Sequence, residues 1–216
     1  MTIELENHQV YPLFPSMLFS TKIKDKKVIE DLAKNVMDMT KDESAGTKMG
    51  SVGWFSHDQI YQRDEFKDIA DLFLEQASSI MDFMSVVRDE IYLTTMWANV
   101  GYRPEYCHQN HIHPNSFLSG VLHVSVPPNA SGTSFADPRP AARIFEPSYE
   151  KLNEMNGGVF LPECKEGDLF IFPSYLPHGV NSSAQSYGKG KNRITISFNV
   201  MFKGTINTRT CKLTLK

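Results

Sequence analysis

The sequence predicts a mainly β protein with flanking helices, built as a barrel with two N-terminal helices packed on one outer face. Three observations point there. From Glu90 onward, β-branched and aromatic runs alternate at short intervals with Pro127-Pro128, Pro138, Pro140, Gly157-Gly158, Pro173, Pro177, Gly188 and Gly190. Before Glu90, two stretches repeat apolar residues at helical spacing. The 216 residues, 41% hydrophobic and 22% charged, suit a single domain with a full core, helical over about 1–90 and β over about 91–216.

In chain order, Tyr11 to Pro15 form an irregular lead-in, and Met17 to Ile23 a first strand that its neighbouring prolines assign to an edge. Asp25 is placed to cap a helix over Lys26 to Asp42, in which Val28, Ile29, Leu32, Ala33, Val36, Met37 and Met39 share a face. Ser44 to Gly53 reads as a glycine-punctuated loop. A second helix starts near Asp64, with Phe66, Ala70, Phe73, Ala77, Ile80, Met84 and Val87 as its stripe, widened by Ile69, Leu72 and Phe83. That width suits packing on a sheet, and is enough to contribute to a homodimer. Strands are expected near Ile91–Val100, Phe117–Val126, Thr133–Ala136, Gly158–Leu161, Asp168–Phe172, Gly179–Asn181 and Arg193–Phe202. The loops Asn129–Pro140 and Asn181–Asn192, rich in Ser, Gly, Ala and Asn, are candidates for a lid or a substrate-reading segment.

The chemistry concentrates in Tyr102 to Val126, which holds His108, His111, His113 and His123 of the chain's seven histidines. His111 and His113 are two residues apart, so an extended chain aims both imidazoles at one space. His178 follows the buried run Gly167 to Pro173 after a short turn and is the candidate third ligand. His108 is an alternative member of the set. Imidazole suits iron, zinc, copper and nickel alike, so residue type alone names no metal. Arg193 then opens a strand that alternates without exception: Arg193, Thr195, Ser197 and Asn199 on one face, Ile194, Ile196, Phe198 and Val200 on the other. A polar face headed by arginine suits a carboxylate.

Other features read more plainly. His8 and His57 lie in polar surroundings typical of a surface. His123, inside a strand, reads first as a hydrogen-bonded core histidine and second as a co-substrate contact. Asp137-Pro138-Arg139 fits either an ion-paired turn or a substrate contact. Cys107 and His108 are adjacent, and so face opposite sides of a strand rather than forming a nucleophilic pair.

Bulk properties bound the rest. The net charge of −3 comes without a basic block, which disfavours a nucleic-acid partner. Three cysteines without CxxC spacing, and an N-terminus without signal-peptide layout, imply a reduced, cytoplasmic setting. No apolar run approaches the ~20 residues a membrane span needs.

The runs His111 to Val121, Asp137-Pro138-Arg139, Phe172-Pro173-Ser174-Tyr175-Leu176-Pro177-His178 and Arg193 to Asn199 resemble the Fe(II)/2-oxoglutarate dioxygenase superfamily. The similarity is greater to a distantly prolyl-hydroxylase-like branch with little characterised biochemistry. It covers the C-terminal half; the N-terminal helices match only in type and order. The resemblance implies a double-stranded β-helix of the jelly-roll, cupin-like kind. It further implies Fe(II) held by His111, His113 and His178, 2-oxoglutarate as co-substrate and O2 as oxidant. His113 stands where the superfamily's general pattern has a carboxylate. The same resemblance puts the distal carboxylate of 2-oxoglutarate on Arg193, with Thr195 and Ser197 adding hydroxyls and Asn99 and Tyr102 touching the co-substrate. The implied reaction is hydroxylation of a substrate C–H bond with release of succinate and CO2, on a small-molecule or peptidyl substrate the sequence does not identify. Two other readings stand beside it: a cupin-like three-histidine enzyme that uses no 2-oxoglutarate, and a non-catalytic jelly-roll binding module.

Overall fold

The computed structural model describes residues 9, 11–139, 141, 144–153, 155–207 and 210–216; His8 and Pro140, singled out above, lie outside them. The elements run β1 (Phe19–Lys22), α1 (Lys26–Met39), β2 (Gly46–Met49), β3 (Gly53–Ser56), α2 (Lys67–Phe83), β4 (Glu90–Gly101), β5 (His108–His111), β6 (Leu118–Ser125), β7 (Thr133–Ala136), β8 (Val159–Phe160), β9 (Asp168–Pro173), β10 (His178–Val180), β11 (Arg193–Ile206) and β12 (Leu213–Leu215). A large sheet has the order β1-β9-β6-β11-β4-β3-β2, with β12 added to β11, and a small one the order β5-β10-β7-β8. The ladders between these strands are all antiparallel. Among the described residues no ladder joins the two sheets. The expected barrel is therefore two facing sheets rather than a closed cylinder.

Both helices cover the outer face of the large sheet. In α1, the Asp25 carboxylate accepts hydrogen bonds from the Lys27 and Val28 amides at 2.8 and 3.4 Å, which satisfies two N–H groups the first turn leaves unpaired. Ile29, Leu32, Val36 and Met39 then face the core, while Val28 stays exposed. The helix stops at Met39, short of the predicted Asp42. In α2, Ile69, Ala70, Phe73, Ala77, Ile80 and Met81 are buried, and the Phe73 ring stacks on Phe198 of β11 with centroids 4.0 Å apart. This apolar face is used within the chain. Only its C-terminal end, Phe83 and the following Val87, remains strongly exposed, so the predicted stripe overran the helix. The helix ends before the stripe does because Ser85 adopts a positive φ of 56°.

Strands β6, β9 and β11 are buried on both faces, as expected when helices cover one side of a sheet and a second sheet the other. Leu169 and Ile171 of β9 join the helix-facing core. Phe170 and Phe172 point the other way, into a second apolar cluster with Val121, Phe135 and Leu176. The Phe135 and Phe172 rings meet edge to face at 5.0 Å across the gap between the sheets. No helix of the described residues is long and apolar enough to cross a membrane.

Candidate metal centre and its cavity

The two sheets flank a cavity of about 60 Å3 that opens to solvent. Three rungs cross β4, β11 and β6: Asn99–Thr195–His123, Trp97–Ser197–Val121 and Thr95–Asn199–Ser119; Asn99, Thr195, Trp97, Ser197 and Val121 of the first two line the cavity. Directly opposed residues of antiparallel strands share a face. The alternation read in Arg193 to Val200 thus sends Arg193, Thr195, Ser197 and Asn199 into the interior and the isoleucines, Phe198 and Val200 toward the helices.

The small sheet supplies the histidines. His178 opens β10 directly opposite His111 at the end of β5, which puts both rings on one face with centroids 4.5 Å apart. His113, two residues past β5, is held through its amide by the Ser174 carbonyl at 3.0 Å. One ring nitrogen of each of His111, His113 and His178 lies within 4.8 Å of the others. The Nδ1 atoms of His111 and His178 sit 2.8 and 2.9 Å from the carbonyl oxygens of Gln109 and Leu176. A carbonyl only accepts, so both Nδ1 atoms carry the proton and both Nε2 atoms present bare lone pairs. The Nε2 atoms of His113 and His178 are 3.1 Å apart, the separation of two adjacent ligands on an ion with bonds of about 2.1 Å.

Protonation favours ligation as well. Burial, aided by the neighbouring imidazoles, depresses His113 and His178 to about 4. At neutral pH they are uncharged, the form that binds metal. His111 is exposed at the cavity mouth and His178 is buried. The donor set therefore fits a divalent cation that accepts imidazole.

Arg193 is the cavity's other pole. It is 3% exposed, its Nε donates to the Ser131 carbonyl at 3.0 Å, and no acidic side chain pairs with it among the described residues. Its guanidinium lies 5.9 Å above the Tyr106 ring. Tyr106 is fully buried, with a seat built from glycines: a Cβ on Gly53 or Gly101 would stand 2.6 or 2.9 Å from its ring, closer than packing allows. Burial pushes the Tyr106 phenol up to about 12 against the opposing effect of Arg193, so it stays protonated and hydrogen-bonds His108 Nε2. His108 itself falls to about 4, first through burial and then through Arg193. Among the described residues no aspartate or glutamate lines the cavity, and Arg193 is its permanent charge.

Most of the predicted site residues converge here. His111, His113, His178, Arg193, Thr195, Ser197 and Asn99 all line the cavity, and Asn99 Nδ2 reaches Ser197 Oγ at 3.4 Å. Tyr102 does not: it packs against the helix-facing core, and burial raises its phenol although a hydrogen bond with Thr40 opposes this. Tyr102 follows Gly101, the last residue of β4, and so leaves the face that carries Trp97 and Asn99. His108 lines the cavity beside Tyr106 but lies outside the three-histidine cluster. His123 is a buried, hydrogen-bonded histidine: Nδ1 donates to the Asp168 carbonyl and Nε2 accepts from Thr133 Oγ1, both at 3.2 Å. His57 is exposed. Asp137 and Arg139 form an ion pair at 2.7 Å. Tyr106 and Trp97, whose ring lies 5.6 Å from that of His113, were missed as cavity residues; Tyr106 precedes β5 in irregular chain, where no periodicity marks it.

Two facing antiparallel sheets with a histidine cluster between them define a double-stranded β-helix with a metal-type centre. Residues 95–199, just under half of the chain, match the family model described as "Putative 2OG-Fe(II) oxygenase", and that stretch contains the three histidines and Arg193. The sequence of the β body thus matches the model of these oxygenases, and the fold as a whole is similar to theirs. Similar solved structures include the non-heme alpha-ketoglutarate-dependent epimerase SnoN from nogalamycin biosynthesis, with a TM-score of 0.63 at 11% identity over 88% of this chain and 77% of that one. A prolyl-4-hydroxylase from Pseudomonas putida matches with a TM-score of 0.60 at 13% identity, over 88% and 94% of the two chains. HygX from Streptomyces hygroscopicus, solved with nickel, 2-oxoglutarate and hygromycin B, gives 0.59 at 10%, over 86% and 82%. Identities this low show a shared fold and nothing finer. No curated protein matches the chain.

Proposed function

We propose that this chain is an Fe(II)- and 2-oxoglutarate-dependent oxygenase that hydroxylates a C–H bond of its substrate. The observation that carries the reading is one cavity in which three clustered imidazoles face a buried arginine with no acidic partner among the described residues. His111, His113 and His178 hold the metal. Because an imidazole ligand brings no charge, the ion keeps its full +2 charge, and with Arg193 the cavity selects a doubly negative ligand. An unpaired buried guanidinium costs several kcal/mol of desolvation, a cost that a carboxylate partner offsets.

Fe(II) with 2-oxoglutarate supplies O2 activation, coupled to decarboxylation to succinate and CO2 with the second oxygen atom going to the substrate. The chain's own residues position and shield. Arg193, with hydroxyls from Thr195 and Ser197 and the Asn99 amide beside them, grips the far carboxylate of the co-substrate. Tyr106 supports the guanidinium from its ring face. Backbone carbonyls at Gln109 and Leu176 fix the orientation of His111 and His178, and the two-sheet enclosure limits water.

The test is anaerobic titration of Fe(II) and then 2-oxoglutarate into metal-free protein, following the visible charge-transfer band of an iron-chelated keto acid. The band should form, and weaken in Arg193→Ala. Iron binding without a band would replace this reading with a cupin-like enzyme in which Arg193 grips the substrate's own carboxylate. Absence of iron binding would leave a binding module.

A further inference from the structure

Beneath His113 lies a hydrogen-bonded row that the metal reading does not yet use. Asn199, the last polar residue of the β11 alternation, is 6% exposed. Its Nδ2 donates to Thr95 Oγ1 at 2.8 Å and lies 3.4 Å from His113 Nδ1. Its Oδ1 accepts from Ser119 Oγ at 2.7 Å, and Ser119 Oγ is 2.8 Å from Ser174 Oγ.

We propose that Asn199 is the positioning residue for His113, and that its side-chain amide reverses when metal binds: nitrogen toward His113 in the metal-free protein, oxygen toward it in the loaded one. This rests on the reading of His113 as a ligand. The protons along the row are fixed by the partners they meet. His178 Nδ1 is committed to the Leu176 carbonyl, so its Nε2 is bare. His113 Nε2 stands 3.1 Å from that lone pair. Two bare lone pairs at this distance repel, so without metal the His113 proton sits on Nε2 and is donated to His178. His113 Nδ1 is then an acceptor, and the Asn199 amide nitrogen is the donor it faces.

A metal on His113 Nε2 inverts this. The neutral ring must carry its proton on Nδ1, which now needs an acceptor. With the amide unreversed, two N–H donors would point at each other in a buried site. Turning the amide presents Oδ1 to His113 instead. The neighbours allow the turn because both are hydroxyls, each able to donate and accept: Thr95 switches to donating to Oδ1, while Ser119 accepts from Nδ2 and donates to Ser174. Each polar atom of the row keeps at least one partner in either state. His113 stays neutral throughout, its proton leaving Nε2 and returning at Nδ1 through exchange with solvent. Asparagine is suited to this position because one side chain carries both a donor and an acceptor. Aspartate would fix the acceptor state, leucine would offer neither.

The experiment measures two things on the whole chain: Zn(II) affinity by chelator competition, and the protonated ring nitrogen of each histidine from 15N-labelled imidazole spectra. In wild-type protein His113 should pass from Nε2–H to Nδ1–H on Zn(II) binding, while His111 and His178 keep Nδ1–H in both states. Asn199→Leu should bind Zn(II) about 10- to 100-fold more weakly, and Asn199→Asp at least as tightly as wild type. A purely structural role would weaken both variants together. His113 on Nδ1–H already in the metal-free spectrum overturns the proposal, as does Asn199→Leu with wild-type affinity when His113→Ala binds weakly. Unchanged affinity in His113→Ala would instead remove His113 from the ligand set, and the functional reading would fail at that point.

Discussion

The two faces of β11 put stability and chemistry on opposite sides of one strand. Ile194, Ile196, Phe198 and Val200 face the helices and are at most 4% exposed; Arg193, Thr195 and Asn199, at most 6% exposed, face the space between the sheets. Both faces are dry, but only the apolar one gains from it. Burying an isoleucine or phenylalanine side chain stabilises by about 1.5–3 kcal/mol. A buried guanidinium without an acid, and histidines held neutral, are groups that water would solvate better. The polar face is thus maintained by the apolar one, and what it retains is binding capacity.

The largest expected separation of the two roles comes from His111→Ala. This side chain is exposed at the cavity mouth, so the fold should keep its circular dichroism and its denaturation midpoint while metal content, by elemental analysis, falls to background. Full iron occupancy with turnover would remove His111 from the ligand set. Phe198→Ala probes the other face: loss of the ring stacked on Phe73 at 4.0 Å should destabilise the chain by about 3–5 kcal/mol in chemical denaturation. Metal affinity of the protein that remains folded should be unchanged; a parallel loss would mean that the faces are coupled. Arg193→Met should weaken 2-oxoglutarate binding about 10- to 150-fold, the range expected for losing a charged hydrogen bond. Stability should hold or rise, because an unpaired buried charge has been removed. A drop of more than about 2 kcal/mol would make the arginine a structural residue.

This division also explains what could be read from sequence. The apolar stripes of α1 and α2, Asp25 as a cap, and the long strands β4, β6, β9 and β11 were legible because each carries its own periodicity or run. β2, with the sequence Gly-Thr-Lys-Met, was read as loop, and β5, with His-Gln-Asn-His, was not anticipated, since short polar strands at a sheet edge have no apolar pattern to detect. The histidine set and Arg193 could be assembled because spacing fixes which side chains share a face. Tyr106 could not: its place depends on Gly53 and Gly101 meeting across two strands, and such pairing is a property of the folded chain. Tyr102 was placed beside the co-substrate by the resemblance alone; it follows the end of β4 and packs against the helix-facing core instead of the cavity.

His123 gives the smallest effect and the finest test of the cost of the polar side. It lies opposite Thr195 on β6, is 1% exposed, and is pushed down to about 4 by burial first and by Arg193 second. An unfolded histidine titrates near 6.5. As pH falls, the unfolded chain therefore takes up this proton before the folded one does. Its effect is absent above pH 6.5, and stability then declines by about 1.4 kcal/mol per pH unit for this group until about pH 4. His108, His113 and His178 are depressed in the same direction and steepen the decline. In metal-free protein, His123→Asn should flatten the acid limb of the stability curve by one proton. Asparagine retains a donor for the Asp168 carbonyl and an acceptor for the Thr133 hydroxyl, so the stability at pH 7.5 should change little beside that slope. Equal slopes for wild type and variant would mean that His123 takes up its proton in the folded state, and that its surroundings are wetter than its burial indicates.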